Sequence, residues 1–332
     1  MNDLSEAKQK RVFSAPLIGY PAVKLNDSKV VDNLKSSEIQ TSTLIKYYLR
    51  YKPDILFPFM DLSVEAEALG LKINYKDQDS PDVVDHPLKA RDDLKNFHFP
   101  DVQNEGRFNV FARTVQSLKN ETDALISGYV TSPFTLAGLL MGAENLALNT
   151  ITNPEFCLET IRFCTRVSLS YAKLLQDSGA DFVTLLDPTA VLLSPALFNE
   201  FAAPFITEIA EELQMLVVLH VCGQTKPLIP EFCKLPVKGL SLDSDVDFPK
   251  SAKIIPEDIL LIGNIHPVKV MLDMDVEEVY METSNLLYQM KAIQNFIIAT
   301  GCDVPAETSL SNIETFLNAV NDFNLTDRGS RV

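Results

Sequence analysis

The chain has 332 residues, and its 29 Lys and Arg against 45 Asp and Glu give a formal net charge of −16. Because phosphate contacts need clustered Lys and Arg, this charge argues against binding to nucleic acid or to an anionic membrane surface. Hydrophobic residues make up 46% of the sequence, which is enough for a large core and excludes intrinsic disorder for most of the chain.

The sequence shows no signal for export or membrane insertion. The first residues, MNDLSEAKQKR, lack the apolar segment of a secretory signal. The longest uncharged stretch, 124–143, contains several Ser, Thr, Gly and Pro residues and is a poor membrane span. The five cysteines are odd in number and widely scattered, unlike a disulfide framework. We therefore expect a cytoplasmic protein with reduced thiols.

Short apolar runs that end in turn residues alternate along the chain with longer segments of helical periodicity. The eight predicted strands are Ala15–Tyr20, Asp54–Phe59, Leu125–Val130, Phe182–Asp187, Met215–His220, Gly239–Asp243, Leu260–Asn264 and Phe296–Thr300. The predicted helices are Ser37–Arg50, Asn153–Asp177, Ser194–Leu213, Val276–Ala292 and Ser311–Phe323. Ser37 is the predicted N-cap of the first helix, and Ser311 and Glu314 have capping-box spacing in the last.

Eight strands alternating with helices predict an α/β chain folded as a single (β/α)8 TIM barrel. Runs such as MLVVL and ILLIG are apolar on both faces, which is typical of parallel strands buried on both sides. We predict one barrel domain over 11–324, a charged insert at about 61–124, and frayed ends at 1–10 and 325–332. A doubly wound open sheet is the alternative, although no G-x-G-x-x-G follows an early strand.

The sharpest candidate site is the H-V-C sequence at the end of the fifth predicted strand. Residues i and i+2 of an extended chain point to the same side, so His220 and Cys222 can converge on one metal ion. Cys302 follows the last strand at the equivalent end, and the three side chains would give zinc three ligands and an open position. Asp243, which ends the intervening strand, is a candidate fourth ligand or a partner of the ligands. A helix N-cap or a salt bridge at the barrel mouth is the other interpretation of Asp243.

Other polar residues follow strand ends and are candidates for lining the barrel mouth, where barrel enzymes carry their chemistry. These candidates for substrate binding are Tyr20, Asp187, Asn264 and His266. Asp187 is equally consistent with a turn that enters a helix. The remaining cysteines, Cys157, Cys164 and Cys233, are interpreted as core residues.

The ligand set constrains the reaction. Two thiolates donate much negative charge to Zn²⁺ and weaken its Lewis acidity, compared with the all-histidine or histidine–glutamate sites that activate water. A thiol in the open position would still lose its proton to the metal and would remain nucleophilic. The predicted chemistry is alkylation of a thiol rather than hydrolysis.

The chain resembles the uroporphyrinogen decarboxylase superfamily over nearly its whole length, and six segments carry the resemblance. They are FMDLSVEAEALG (59–70), SPFTLAGLLMG (132–142), DPTAVLLSPALFNEFAAPF (187–205), LHVCGQT (219–225), GNIHPVKVM (263–271) and ATGCDVPAETSLSNIETF (299–316). Within the superfamily, the H-x-C-G and G-C-D-V-P motifs resemble the methylcobamide:coenzyme M methyltransferase branch, whose members are (β/α)8 barrels.

This resemblance implies a zinc-dependent methyltransferase in which Zn²⁺ is held by His220, Cys222 and Cys302. It further implies a small thiol acceptor such as coenzyme M, and a methyl group taken from methylcobalamin or another methyl-corrinoid on a partner corrinoid protein. Cobalamin-independent methionine synthase has a similar H-x-C…C arrangement with an acidic residue in between, which supports Asp243. No residue recognises the sulfonate of coenzyme M clearly, although Lys24 or backbone N–H groups are candidates.

Three alternatives remain open at this point. A uroporphyrinogen-decarboxylase-type decarboxylase is disfavoured, because the family's Arg-rich motif after the first strand is here LIGYPAVKL, without arginine. Tetrahydrofolate could replace the thiol as methyl acceptor. A docking or reactivation protein with a structural zinc is the non-enzymatic alternative, and a closed four-ligand site would favour it.

Overall fold

Eight parallel strands form a nearly closed barrel, which helices surround, in the computed structural model of residues 11–328. The barrel strands are β1 (Phe13–Ser14), β2 (Ile55–Leu56), β5 (Leu125–Thr131), β6 (Phe182–Leu186), β7 (Leu216–Val221), β8 (Gly239–Leu242), β9 (Leu260–Ile265) and β10 (Phe296–Thr300), and a separate hairpin consists of β3 (Ile73–Asn74) and β4 (Asp82–Val83). The α-helices are α1 (Val30–Lys35), α2 (Ser37–Tyr51), α3 (Val64–Ala68), α4 (Phe108–Glu121), α5 (Pro133–Met141), α6 (Ala143–Thr152), α7 (Pro154–Asp177), α8 (Pro195–Phe201), α9 (Ala203–Glu212), α10 (Ile229–Phe232), α11 (Phe248–Ser251), α12 (Val276–Met290) and α13 (Leu310–Phe323). Short 3₁₀ helices cover Pro21–Leu25, Arg91–Asn96 and Pro188–Leu192.

The strand order confirms the predicted (β/α)8 barrel. Around the sheet the strands follow β2, β5, β6, β7, β8, β9, β10 and β1, and each neighbouring pair is parallel. Asp54 links the two end strands, because its N–H donates to Ser14 O over 3.2 Å and its Oδ2 accepts the Ser14 N–H over 2.8 Å. All strand C-termini therefore open onto one end, the mouth, where barrel enzymes place their sites.

The first barrel strand lies earlier than the sequence predicts. It covers Phe13–Ser14 rather than Ala15–Tyr20, because Pro16 has no N–H to donate to the ladder. The Leu17 N–H instead donates to Thr300 Oγ1 over 3.1 Å. The segment therefore leaves the sheet early and continues across the mouth.

Proline also divides a helix that the sequence predicts as one. The segment 194–213 contains two helices, α8 and α9, which meet at Ala202, because Pro204 cannot donate a hydrogen bond within a helix. Two helix N-caps lie at an earlier serine than predicted: Ser36 rather than Ser37 caps α2, and Ser309 rather than Ser311 caps α13. In both, the serine hydroxyl accepts the N–H of the third helical residue.

The interior of the barrel is filled with side chains and is not a channel. Inward-facing apolar residues from the barrel strands form one cluster: Phe13, Ala15, Ile55, Phe182, Val218, Leu260, Ile262, Ile297 and Ala299. A second, larger core lies between the strands and the helices. Because an eight-stranded barrel has just enough interior for side chains, a ligand must bind at the mouth.

The segment between β2 and β5, predicted as an insert at about 61–124, contains α3, the β3–β4 hairpin, a 3₁₀ helix and α4. The hairpin is antiparallel, and its connecting residues 75–81 reach α1. Lys29 forms an ion pair of 2.7 Å with Asp77, and the Val30 N–H donates to Asp77 O. These contacts fix the position of the hairpin at the mouth.

The sequence predicts frayed ends at 1–10 and 325–332, of which residues 1–10 and 329–332 lie outside the described residues. Asn324–Arg328 form a π-helical turn that continues α13. Within residues 11–328, no helix has the length and apolar character needed to cross a bilayer.

Candidate active site and metal centre

Three side chains from two strand ends meet at the mouth. His220 lies on β7 and Cys222 follows that strand, whereas Cys302 follows β10. Cys222 Sγ lies 3.0 Å from His220 Nε2 and 3.1 Å from Cys302 Sγ, and the third distance, Cys302 Sγ to His220 Nε2, is 3.9 Å. Residues separated by 80 positions in the chain thus present one nitrogen and two sulfurs to the same point.

Two glycines allow this approach. Gly301 packs so closely on the segment after β8 that a Cβ would lie 2.4 Å from Ser244 N, so a side chain at this position would displace Cys302. Gly223 has a φ of +83°, a conformation that glycine adopts at no steric cost. It turns the chain sharply after Cys222.

The imidazole of His220 is oriented by the neighbouring strand. Ser241 is its cross-strand partner on β8, and Ser241 Oγ lies 2.9 Å from His220 Nδ1. This hydrogen bond leaves Nε2 to face the two sulfurs. Metal-bound histidines usually have such a partner on the other ring nitrogen.

The two thiols are coupled through their short contact. The hydrogen bond between the two sulfurs lowers the pKa of Cys302 and raises the pKa of Cys222. Burial of both groups opposes ionisation, and His220 also favours the Cys302 thiolate. Ionisation of both cysteines therefore requires an additional positive charge at this point.

The donor set fits a zinc ion. Among the described residues, His220, Cys222 and Cys302 form a group of ligand atoms that lie within 4.8 Å of one another. One imidazole nitrogen and two thiolates are zinc ligands of the kind found in catalytic sites, where a fourth position stays open. The cluster faces a cavity, so a fourth ligand can enter from that side.

The cavity at the mouth has a volume of about 590 Å³. His220, Cys222 and Cys302, the candidate metal-ligand cluster, lie against it together with apolar side chains from several strand ends and with the hairpin residues 78–82. The lining residues are Tyr20, Met60, Leu62, Gln78, Asp79, Ser80, Pro81, Asp82, Leu186, Pro188, His220, Cys222, Cys302, Asp303, Val304, Pro305, Ala306 and Glu307. A small molecule bound here contacts the cluster directly.

A buried carboxyl group lies beside the cluster. Asp303 lines the cavity, and its Oδ2 is buried without a hydrogen-bond partner. Burial raises the pKa of Asp303 well above its usual range, and the neighbouring Cys302 raises it further. Burial also raises the pKa of Tyr20, with a contribution from Asp303, and the Tyr20 hydroxyl donates to Met60 O over 2.5 Å.

Of the four residues predicted to line the mouth, Tyr20 lines the cavity. Asp187 is fully buried and faces α5, where its carboxylate accepts the hydroxyls of Ser132 (2.9 Å) and Thr135 (2.6 Å). Burial raises the pKa of Asp187 to about 6, and the two hydroxyls oppose that rise. Its N–H donates to His220 O, so Asp187 contacts the site through its backbone.

Asn264 and His266 support loops at the mouth. The Asn264 amide donates to the backbone oxygens of Asp243 (3.0 Å) and Val246 (2.6 Å), which fixes the segment after β8. His266 Nδ1 accepts two backbone N–H groups of the following turn. Neither side chain is among those that line the cavity.

Asp243 holds the segment that follows Cys222. Its Oδ2 accepts the Gly223 N–H over 2.8 Å, and its Oδ1 accepts from Ser244 Oγ and from the Asp245 N–H. The carboxylate is not part of the three-residue cluster of ligand atoms. It positions the turn that follows Cys222 and does not join the side chains of His220, Cys222 and Cys302.

Sequence reasoning did not single out Asp303 or the hairpin residues 78–82. The signal for Asp303 is its place directly after Cys302 in G-C-D-V-P. The hairpin sequence is polar and has no periodicity, so nothing in it indicates a position over the mouth. The antiparallel pairing of β3 with β4 and the contacts of Asp77 with Lys29 and Val30 hold it there.

Comparison with known proteins identifies the family. The uroporphyrinogen decarboxylase (URO-D) family model matches residues 17–323. A methylated-thiol–coenzyme M methyltransferase of Methanosarcina mazei is 30% identical over 79% of this chain and 71% of that protein. A methylcobamide:CoM methyltransferase of Methanosarcina acetivorans is 27% identical over 80% of this chain and 78% of that protein. A uroporphyrinogen decarboxylase of Thermodesulfovibrio yellowstonii is 25% identical over 87% of this chain and 85% of that protein.

Solved structures show the same fold. A methyltransferase from Methanosarcina mazei superposes with a TM-score of 0.87 at 22% identity, covering 96% of this chain and 97% of that one. A B12-independent methionine synthase from Shewanella sp. W3-18-1 has a TM-score of 0.63 at 14% identity, with the same coverage. These two likenesses concern the fold alone. The family match and the sequence relatives together show that the chain belongs to the uroporphyrinogen decarboxylase family and, within it, to the methyltransferase branch.

Proposed function

We propose that the chain transfers a methyl group from a methylated corrinoid, carried by a partner protein, to a small thiol. The observation that carries this proposal is the convergence of His220, Cys222 and Cys302 at a cavity of about 590 Å³. Coenzyme M is the acceptor in the names of the relatives and is the first thiol to test.

The three residues would hold Zn²⁺, which supplies a positive charge that favours the thiolate form of a bound thiol. The protein would prepare this site through its own contacts. Ser241 orients the His220 ring, and Asp243 fixes the turn after Cys222. Asp187 and Asn264, which we predicted as mouth residues, would act as positioning residues for the same segments.

The cavity lining suits a small thiol better than a corrinoid. Apolar side chains, among them Met60, Leu62 and Leu186, and the hairpin residues 78–82 surround the ligand cluster. They would keep water away from the reacting sulfur, which strengthens the electrostatic interactions there. The corrinoid would be presented at the open side of the mouth by its carrier protein.

A decarboxylase activity is the competing function, because uroporphyrinogen decarboxylases are also among the relatives. That substrate is a polycarboxylate and needs cationic partners. Among the described residues, the cavity lining contains no Lys or Arg. The lining therefore favours methyl transfer.

The test is metal content and methyl transfer in the wild type beside Cys222→Ala. We expect about one zinc per chain in the wild type, and demethylation of methylcobalamin in the presence of coenzyme M or 2-mercaptoethanol. Both should be lost in the variant. Cys233→Ala removes a thiol outside the cluster and should change neither. A wild type without zinc after chelator-free purification, or a variant with full methyl transfer, would contradict the proposal.

A further inference from the structure

We infer that a groove on the outer flank of the barrel binds an acidic segment of another protein, which also carries a large apolar side chain. The groove lies between α7, α9 and the segment 91–99, and its volume is about 940 Å³. None of the described residues that line it also lines the cavity at the mouth. The inference therefore goes beyond the proposed methyl transfer and does not rest on it.

The groove reverses the charge balance of the chain. Among the described residues, its lining contains four cationic side chains against two carboxylates, whereas the whole chain has 29 Lys and Arg against 45 Asp and Glu. The cations are Arg91, Lys95, Arg162 and Arg166, and the carboxylates are Glu159 and Glu208. An acidic ligand is therefore favoured in the groove, although the net charge of −16 disfavours its binding to the chain in general.

Two of the cations have no carboxylate partner in the described part of the chain. Glu159 is engaged by Arg91, whose Nε–H donates to Glu159 Oε2 over 2.6 Å. Arg162 and Arg166, which lie four residues apart on α7, are exposed and form no ion pair with a described residue. Their guanidinium groups retain the donors that hold a carboxylate through two parallel hydrogen bonds.

Phenylalanine rings form the apolar part of the groove. Phe163 and Phe205 are buried, whereas Phe99 is 46% exposed. The guanidinium of Arg166 lies 5.9 Å from the ring centroid of Phe99 and 5.8 Å from that of Phe163, and contacts of this kind hold a guanidinium in place. Exposed aromatic and arginine side chains in contact are typical of surfaces that anchor a protein partner.

The spacing of the two arginines determines the spacing of the acidic groups that fit them. Four residues of an α-helix rise by about 6 Å. Residues i and i+2 of an extended segment point to the same side and are about 6.6 Å apart. Two acidic residues at alternate positions therefore match Arg162 and Arg166. An apolar side chain at the next alternate position faces Phe99 and Phe163, which adjoin Arg166.

Other occupants fit the groove less well. Two copies of this chain carry a charge of −16 each, and like net charges oppose their association. A nucleic acid or an anionic membrane would meet the same opposing charge over a much larger surface. A short acidic segment contacts the groove alone and avoids most of that repulsion.

The test measures the binding of three rhodamine-labelled peptides to the full chain by fluorescence anisotropy. The first is Gly-Glu-Ser-Glu-Ser-Phe-Gly, the second has Gln in place of both Glu, and the third has Ala in place of Phe. We expect the first to bind saturably with a Kd below about 1 mM. Each of the others should bind about tenfold more weakly, because one loses the charge-assisted hydrogen bonds and the other the apolar contact.

Variants of exposed residues separate the two contributions. Arg162→Gln combined with Arg166→Gln should reduce the preference for the acidic peptide over its Gln counterpart to within about twofold. Phe99→Ala should instead remove the preference over the Ala counterpart. Arg113→Gln changes an exposed arginine of α4 outside the groove and should keep both preferences. Urea unfolding of each variant checks that the fold is retained.

Several results would overturn the inference. They are an absence of saturable binding, equal binding of the acidic and Gln peptides by the wild type, and a preference that survives in the double arginine variant. Self-association of the wild type in sedimentation that disappears in this variant would assign the groove to a second copy. Displacement of the acidic peptide by an equal concentration of a single-stranded oligonucleotide would show that the groove does not select a protein segment.

Discussion

Two polar clusters differ in how completely their charged and polar groups are matched: one lines the cavity at the mouth, and the other lies behind the cavity wall. In the cluster behind the wall, Arg107 is 7% exposed and donates to Asp61 over 2.6 Å, to Glu67 and to Ser63. Asp61 also accepts from Ser63, and Glu67 accepts from Tyr75. Each carboxylate of this cluster therefore has both a cationic and a neutral donor.

The metal-ligand cluster lacks such compensation. Two thiols share one short contact, and the adjacent Asp303 has a buried oxygen without a partner. The matched cluster lies behind the cavity wall, where it connects the end of β2 to the start of α4. A matched cluster stabilises the fold, whereas an unmatched one at a cavity indicates a site that a metal or substrate completes.

The largest expected effect is the loss of a metal ligand. Cys302→Ala should lose zinc and reduce methyl transfer to the background rate, because two remaining ligands do not hold the ion. Stability without zinc should change little, since the residue is partly exposed and has no structural partner beyond the cluster. Metal analysis and methylcobalamin demethylation check this, and Cys233→Ala is the control. Retention of both zinc and activity in Cys302→Ala would disprove the assignment.

Loss of Arg107 from the matched cluster should lower the stability of the fold. Arg107→Ala leaves the buried Asp61 and the partly exposed Glu67 without their cation, which costs about 3–5 kcal/mol of unfolding free energy. Arg50→Ala removes an exposed pair with Glu314 at 3.2 Å and should cost less than about 1 kcal/mol. Urea unfolding of both variants gives the comparison. Similar losses for the two would mean that the buried network carries no special stability.

The fold could be predicted from the sequence because the barrel strands and helices have a strong hydrophobic periodicity. Seven of the eight barrel strands begin within one residue of the predicted position. The first does not, since Pro16 ends pairing in a run that is otherwise apolar. Helix 194–213 was predicted as continuous because its apolar spacing persists across the break at Pro204.

Only part of the candidate site could be predicted from the sequence. The convergence of His220, Cys222 and Cys302 follows from their places at strand ends. The direction in which a side chain turns beyond a strand end depends on contacts from other segments, as with Asp187, which faces α5. The buried Oδ2 of Asp303 lacks a hydrogen-bond partner, and the sequence cannot show such an absence.

Glu65 is intermediate between the two clusters in how completely its carboxyl group is matched by hydrogen-bond donors. Thr131 gives it two hydrogen bonds, from N–H to Oε1 (2.7 Å) and from Oγ1 to Oε2 (2.8 Å). Burial nevertheless raises its pKa to about 8, and the Thr131 bonds oppose that rise. Because the folded state holds the proton more tightly than the unfolded state, Glu65 lowers stability as pH rises from about 4.5 to 8.

Glu65→Gln removes this titration. We expect its unfolding free energy, relative to the wild type, to rise by about 2 kcal/mol between pH 5 and pH 7. Urea unfolding at several pH values measures the difference, from which the other titrating groups cancel. A difference that stays constant across this range would show that the carboxyl group is not held protonated in the folded protein.

The smallest expected effect concerns the orientation of a ligand. Ser241→Ala removes the hydroxyl 2.9 Å from His220 Nδ1 but keeps all three ligand atoms. Loss of such a partner weakens metal affinity by about tenfold or somewhat more, so zinc competition with a chelator should detect it while the as-purified protein still contains zinc. Ser244→Ala is the matched control, because its hydroxyl contacts Asp243 and no ligand. Equal zinc affinity in Ser241→Ala and wild type would mean that packing alone orients the imidazole, and that the metal-ligand cluster needs no hydrogen-bonded support from β8.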